Sequence, residues 1–164
     1  PVTASAGTAS GFGGGPGASA ATATGGQVVA APGAGGAAER ASYQAAFDLL
    51  KEGRYEQARA GFEKFLAEYP GSDLAGHSQY WLGETYYVTQ KYDQALAACQ
   101  KAVNQYPQSR KLPDALLKVG YCRYELGQYV EARAALNMVL ERFPESTAAR
   151  LAGQRLDRMQ SEGR

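Results

Sequence analysis

The sequence predicts an all-α solenoid: three helix-turn-helix repeats of 37-residue period, closed by a C-terminal capping helix. Three observations carry that prediction. Tyr55, Tyr92 and Tyr129 are 37 residues apart. Ala58, Ala95 and Ala132 keep the same interval, and so do Phe62, Cys99 and Leu136. Pro70, Pro107 and Pro144 close it, each directly after an aromatic residue (Tyr69, Tyr106 or Phe143). Self-similarity at a fixed period marks a unit that cannot bury its apolar face alone and must stack on its neighbours.

The second copy shows what one unit is. Leu82, Gly83 and Tyr86 share one helical face, and the polar stretch Gln90 to Asp93 reads as a turn. Ala95, Cys99, Ala102 and Val103 then recur at three and four residues until Pro107, which lacks an amide donor and keeps the residue before it out of the helical region. Each copy is therefore a pair of helices. Ala46, Gly83 and Gly120 occupy one equivalent position, where a small residue lets the second helix approach the first closely. Ser72, Ser109 and Ser146 share a position two residues after each proline and are candidate N-caps. Pro113 moves the third start to about residue 112.

Residues 1–38 hold no charged residue and 11 of the 20 glycines, so they cannot bury enough apolar surface to offset their chain entropy and read as a linker. Gly11 to Gly17 lacks the flanking strand, helix and Lys-Ser/Thr of a phosphate-binding loop. Gln27 to Ala31 reads as a local apolar cluster. The folded domain is expected over 39–164, with repeats at about 40–70, 74–107 and 112–144 and a cap helix at about 146–160. That last helix carries Ala148, Leu151, Ala152, Leu156 and Met159 at core spacing. The first residue is Pro1 rather than Met, which reads as a fragment or a processed chain.

Balanced charge, 17 basic against 16 acidic residues, argues against nucleic acid as the main partner. No run of about 18 apolar residues exists to cross a membrane as a helix. His77 is the only histidine, which removes multi-histidine metal sites and leaves it as a surface or groove residue. Glu84 and Glu125 read as solvated helix charges rather than an acid/base pair. No catalytic, cofactor or metal residue is assigned. Cys99 stands where Phe62 and Leu136 stand in the other copies, and Cys122 lies on the next helix. Two buried free thiols is the preferred reading of the pair, and a disulfide stays open.

The pattern L-G-x-x-Y, then Y-x-x-A-x-x-x-(F/C/L), then Pro resembles the tetratricopeptide repeat, whose usual period is three residues shorter. In such arrays the first helices line the concave face. The resemblance places Tyr43, Phe47, Tyr80, Tyr87, Tyr121 and Tyr124 there, and with His77, Arg155, Arg158 and the nearby Lys51 and Lys118 they form an amphipathic groove suited to a peptide. Tyr92 and Tyr129, by contrast, are expected to pack.

The stretches FDLLKEGRYEQARAGFEKFLAEYPGS, QYWLGETYYVTQKYDQAL, LPDALLKVGYCRYELGQYVEARAAL and RFPESTAARLAGQRLDRM resemble the C-terminal domain of the YbgF/CpoB family of the Tol-Pal system. The resemblance spans about residues 43–160. It implies a periplasmic cell-division scaffold with a cleaved signal peptide, and a homotrimer through an N-terminal coiled coil that this stretch lacks, so that the fragment itself is monomeric. It also implies binding to the inner-membrane protein TolA and to a bifunctional penicillin-binding protein, coupling outer-membrane constriction to peptidoglycan synthesis, with no enzymatic activity. The residues by themselves reach a helical-repeat protein that binds polypeptide. The competing classes are a repeat component of outer-membrane protein assembly and a cell-wall hydrolase, and the second needs a reactive constellation that these residues do not offer.

Overall fold

The computed structural model describes residues 34–164. These form seven helices in chain order: α1 (Ala34–Lys51), α2 (Tyr55–Glu68), α3 (Ala75–Val88), α4 (Tyr92–Gln105), α5 (Leu112–Glu125), α6 (Tyr129–Arg142) and α7 (Thr147–Ser161). The second helices start at Tyr55, Tyr92 and Tyr129, the residues that define the period. The expectations for Gly11 to Gly17 and Gln27 to Ala31 lie outside the described residues. α1 begins at Ala34, before the change in composition at Glu39. Extending a formed helix fixes one residue per hydrogen bond, and Ala37 and Ala38 are strong helix formers, so the uncharged stretch adds a turn at little cost.

The turn inside each hairpin has one geometry. After α1, α3 and α5 the chain enters the left-handed region at Gly53 (φ 75°), Gln90 (φ 61°) and Gly127 (φ 74°). The next amide then bonds back over the helix end: Arg54 to the Leu49 carbonyl at 2.9 Å, Lys91 to Tyr86 at 2.9 Å and Gln128 to Arg123 at 2.8 Å. This satisfies the last carbonyls of each first helix. Glycine adopts such a φ freely and glutamine does so under strain. The middle hairpin alone carries that strain.

The second helices end for a different reason. Tyr69, Tyr106 and Phe143 have left the helical region, as residues before proline do. The serines that follow behave differently from their expected shared capping role. Ser72 and Ser109 accept the amides of Leu74 and Lys111 at 3.1 Å, holding a short turn ahead of helices whose N-cap positions are Leu74 and Lys111, neither of which caps through its side chain. Only Ser146 is an N-cap, accepting the Ala149 amide at 3.0 Å. The connections after Pro70 and Pro107 are longer than the one after Pro144, and the added residues form that turn.

The two helices of a hairpin touch where one of them carries no bulk. A methyl group built on Gly83 would meet the Cys99 sulfur at 2.3 Å, one on Gly120 would meet Leu136 Cδ2 at 2.7 Å, and one on Gly61 would meet the Ala46 methyl at 2.9 Å. Repeat one thus keeps its glycine on the second helix, facing Ala46, whereas the other two keep it on the first. Phe62, Cys99 and Leu136 are fully buried at these contacts. Leu82 joins Phe62, Ala46, Ala58 and Ala98 in a core shared between repeats one and two, with Tyr86 packed at its edge.

Between repeats, first helices touch first helices, α1 to α3, α3 to α5 and α5 to α7, while α2, α4 and α6 do not touch one another. The stack therefore curves toward the first helices, which line its inner face. α7 packs on both α5 and α6 and occupies a fourth first-helix position, burying Ala148, Ala149, Ala152 and Met159.

Two outcomes follow from the hairpin geometry. Gln90→Gly is expected to raise the unfolding free energy by about 1 kcal/mol, because the strain is relieved at a position where the other hairpins already use glycine. Urea denaturation checks this, and a loss of stability contradicts it. Gly83→Ala is expected to cost about 1–3 kcal/mol through overpacking on Cys99. In a Cys99→Ala background, where that sulfur is gone, the same change should be close to neutral. An undiminished loss in the double variant means that the contact is not the cause.

Candidate functional site: the inner face

The inner face is built from two aromatic clusters on successive first helices. In the first, Tyr43 and Phe47 of α1 stack at 6.1 Å, Phe47 meets Trp81 of α3 at 5.0 Å, and Trp81 meets Tyr80 at 4.8 Å. The Trp81 indole N–H donates to the Tyr43 hydroxyl at 2.9 Å, tying α1 to α3. Lys111 reaches over Trp81 at 4.9 Å and Tyr80 at 5.4 Å. His77 stands edge-on to Tyr43 at 6.4 Å. Its Nδ1 is shut off from solvent and only loosely approaches the Asp73 main chain. Burial pushes the His77 pKa down, and the Lys111 cation adds to the effect. The ring is thus held neutral, as part of the wall.

The second cluster is a column in which aromatic rings and cations alternate. The Lys118 ammonium lies 4.2 Å from the Tyr87 ring centre and 5.4 Å from that of Tyr121. The Arg155 guanidinium lies 4.1 Å from Tyr121 and 4.9 Å from Tyr124. The order along the face is Tyr87, Lys118, Tyr121, Arg155, Tyr124, with contributions from α3, α5 and α7. Each cation also has a carboxylate, Glu84 for Lys118 at 2.8 Å and Glu125 for Arg155 at 3.9 Å. A nearly buried ammonium is tolerable only when paired and surrounded by polarisable groups, and Lys118 has both.

The tyrosine hydroxyls link successive repeats. Tyr87 donates to Glu125 at 3.3 Å, and Tyr124, at the equivalent position one repeat later, donates to Glu162 at 2.5 Å and accepts from Arg164 at 3.1 Å. Burial pushes the Tyr80 and Tyr87 phenols well above the usual tyrosine range, and Glu84 and Glu125 respectively add to it. Both stay protonated donors across any physiological pH. The Tyr124 hydroxyl holds the Glu162 carboxyl below its ordinary value, with Arg158 assisting.

The structure thus gathers Tyr43, Phe47, His77 and Tyr80 into one cluster and Tyr87, Tyr121, Tyr124 and Arg155 into the other. Arg158 stands apart, its side chain 65% exposed and paired with Glu162 at 2.8 Å. The groove residues differ in depth. Tyr87 and Tyr121 are half-buried, whereas Tyr80 and Tyr124 are buried, at 9% and 8% exposure, because side chains from neighbouring repeats lie over them. Tyr92 and Tyr129, expected as packing, are themselves half-buried and meet Tyr87 and Tyr124 edge-on at 5.4 and 5.5 Å. They buttress the column from behind.

Sequence reasoning missed Trp81, Glu84, Glu125 and Lys111 as members of this face. A signal for Glu125 was present, since tyrosine recurs at 87 and 124 and glutamate at 125 and 162, both on the 37-residue interval. A separate cleft lies on the outer face, between α2 and α4 and over α3. It measures about 540 Å³, with Leu66, Leu82, Tyr86 and Ala98 in its lining.

Sequence and fold comparisons agree with this architecture. Models of the tetratricopeptide repeat match residues 43–110 and 114–146. Over 48 residues the chain is 50% identical to the cell division coordinator CpoB of Pseudomonas putida, a match that covers 29% of this chain and 18% of that protein. The fold resembles the Hsp90 co-chaperone Cns1 from Saccharomyces cerevisiae (TM-score 0.67, 20% identity, 80% of this chain and 42% of that one). It also resembles the type III secretion translocator chaperone SycD of Yersinia enterocolitica (TM-score 0.64, 17% identity, 77% and 91%). A third likeness is to the second repeat domain of human RPAP3 in complex with an HSP70 peptide (TM-score 0.60, 22% identity, 74% and 97%). With matched models over more than half its length and seven helices in the corresponding order, the chain belongs to the tetratricopeptide-repeat family.

Proposed function

We propose that the domain is a protein-binding scaffold of cell division that holds a polypeptide segment along the inner face of α1, α3, α5 and α7. The observation that carries this is the column from Tyr87 to Tyr124. It presents the half-buried rings of Tyr87 and Tyr121 on a pre-ordered support, and rigid aromatic anchors are the side chains that dominate protein interfaces. Lys118 and Arg155 are already neutralised by Glu84 and Glu125, so selectivity on this face comes from shape and aromatic contact more than from net charge.

The 48-residue match to CpoB supports placing this scaffold in the periplasm, within the Tol-Pal system. Its partners there are a TolA-like inner-membrane protein and a bifunctional penicillin-binding protein, and its task is to coordinate outer-membrane constriction with peptidoglycan synthesis. In the full-length protein a coiled coil ahead of the repeats assembles three copies. The structure of the RPAP3 repeat domain in complex with an HSP70 peptide supports peptide binding by a domain of this fold. A scaffold of this kind needs no catalytic group.

Titration calorimetry with a periplasmic fragment of the TolA-like protein tests the reading. Tyr87→Ala combined with Tyr121→Ala is expected to keep helix content and to weaken binding by about 2 kcal/mol, roughly 30-fold. The buried Tyr124→Ala should instead lower the melting midpoint first. A double variant that is folded and binds like wild type moves the interface to the outer-face cleft between α2 and α4.

A further inference from the structure

We propose that Cys99 and Cys122 are a modification site: a dithiol that closes to a disulfide within the native fold and staples repeat two to repeat three. Cys99 lies on α4 and Cys122 on α5, two helices that pack directly on each other. Both residues are fully buried and both are free thiols. Cys122 is the neighbour that acts most strongly on the Cys99 thiol. Gly83 sits against the Cys99 sulfur and confines it, since a methyl group there would overlap it at 2.3 Å.

The repeat supplies an internal comparison. The positions of Cys99 and Cys122 correspond to Phe62 and Thr85 one repeat earlier and to Leu136 and Met159 one repeat later, all of them buried. Leu136 and Met159 belong to one core cluster, so the joint can be filled by ordinary apolar packing. At the middle joint cysteine occupies both positions at once. One cysteine there is a small core residue. Two facing each other across the joint make the arrangement that a crosslink needs.

In the closed fold the pair is inert. The adjacent Cys122 and burial raise the Cys99 pKa, so the nucleophilic thiolate is scarce. Reaction therefore accompanies folding or opening of the α4–α5 joint. With a disulfide donor such as oxidised glutathione, one cysteine loses its proton to solvent and its thiolate attacks a glutathione sulfur. The S–S bond of the donor breaks and the first glutathione leaves as a thiolate. The second cysteine, deprotonated in turn, attacks the protein sulfur of the mixed disulfide and expels the second glutathione. Two protein thiols are oxidised to one disulfide, one oxidised glutathione is reduced to two thiols, and the two protons released end on them. The resulting staple lies directly behind the inner face, since Cys122 follows Tyr121 and Gly83 precedes Glu84.

The test is to unfold the full chain and refold it in a buffer of reduced and oxidised glutathione, which gives the reagent access regardless of burial. The expected product has lost the mass of two hydrogen atoms, shows no titratable thiol in denaturant, and keeps its helix content. Its melting midpoint should lie about 5 °C or more above that of the reduced form. Cys99→Ala and Cys122→Ala should each retain one thiol or carry one glutathione. Two free thiols in refolded wild type overturn the proposal. So does a glutathione adduct in place of the internal bond, or a disulfide that forms only with loss of helix content or a lower midpoint.

Discussion

Everything on the inner face depends on how closely the two helices of each hairpin approach. At Ala46 with Gly61, Gly83 with Cys99, and Gly120 with Leu136 the contact leaves no space for a further methyl group. Interiors are packed like crystals, so a hairpin opened by one methyl does not relax in place but shifts the first helix relative to its neighbours. The Tyr87–Glu125 and Tyr124–Glu162 bonds and the Trp81–Tyr43 bond all span successive first helices. Hairpin packing thus sets the spacing on which the alternating rings and cations depend.

That column also explains how a chain with almost no net charge carries several charged groups where a ligand is expected. Each cation is fixed between rings and given its own carboxylate, so the face is ordered before anything binds. A preformed surface loses less side-chain freedom on association. The wall around His77, Tyr43 and Trp81 is likewise apolar in body, with the Trp81 indole already bonded to the Tyr43 hydroxyl.

The fold was legible because the period repeats side chains whose only role is packing. Ala58, Ala95 and Ala132 are buried in every copy, and so are Phe62, Cys99 and Leu136, so one copy explains the next. The serines show where that logic fails. Ser72, Ser109 and Ser146 share a register, but only the connection after Pro144 is short enough for its serine to cap a helix. The candidate site was legible as a set of first-helix aromatics, and its depths were not. Tyr80 and Tyr124 are covered by Lys111, Arg155, Glu162 and Arg164, which arrive from later in the chain. Glu84 resembles any exposed helical glutamate until Lys118 is brought onto it. The start of α1 was missed because an uncharged Gly/Ala stretch looks alike whether it ends in coil or is drawn into a helix that has already nucleated.

The left-handed glutamine at residue 90 has a consequence for how the array comes apart. Long solenoids fray from their ends, since terminal units have one neighbour and inner units have two. Here the inner unit holds the one strained turn, which offsets part of the advantage of its second neighbour. Opening it leaves the first hairpin alone on one side and the third hairpin with its cap helix on the other, the latter keeping a core of its own. The strained turn thus weakens the unit that carries one end of the binding face, since Tyr87 stands on α3 while Tyr121 and Tyr124 stand on α5.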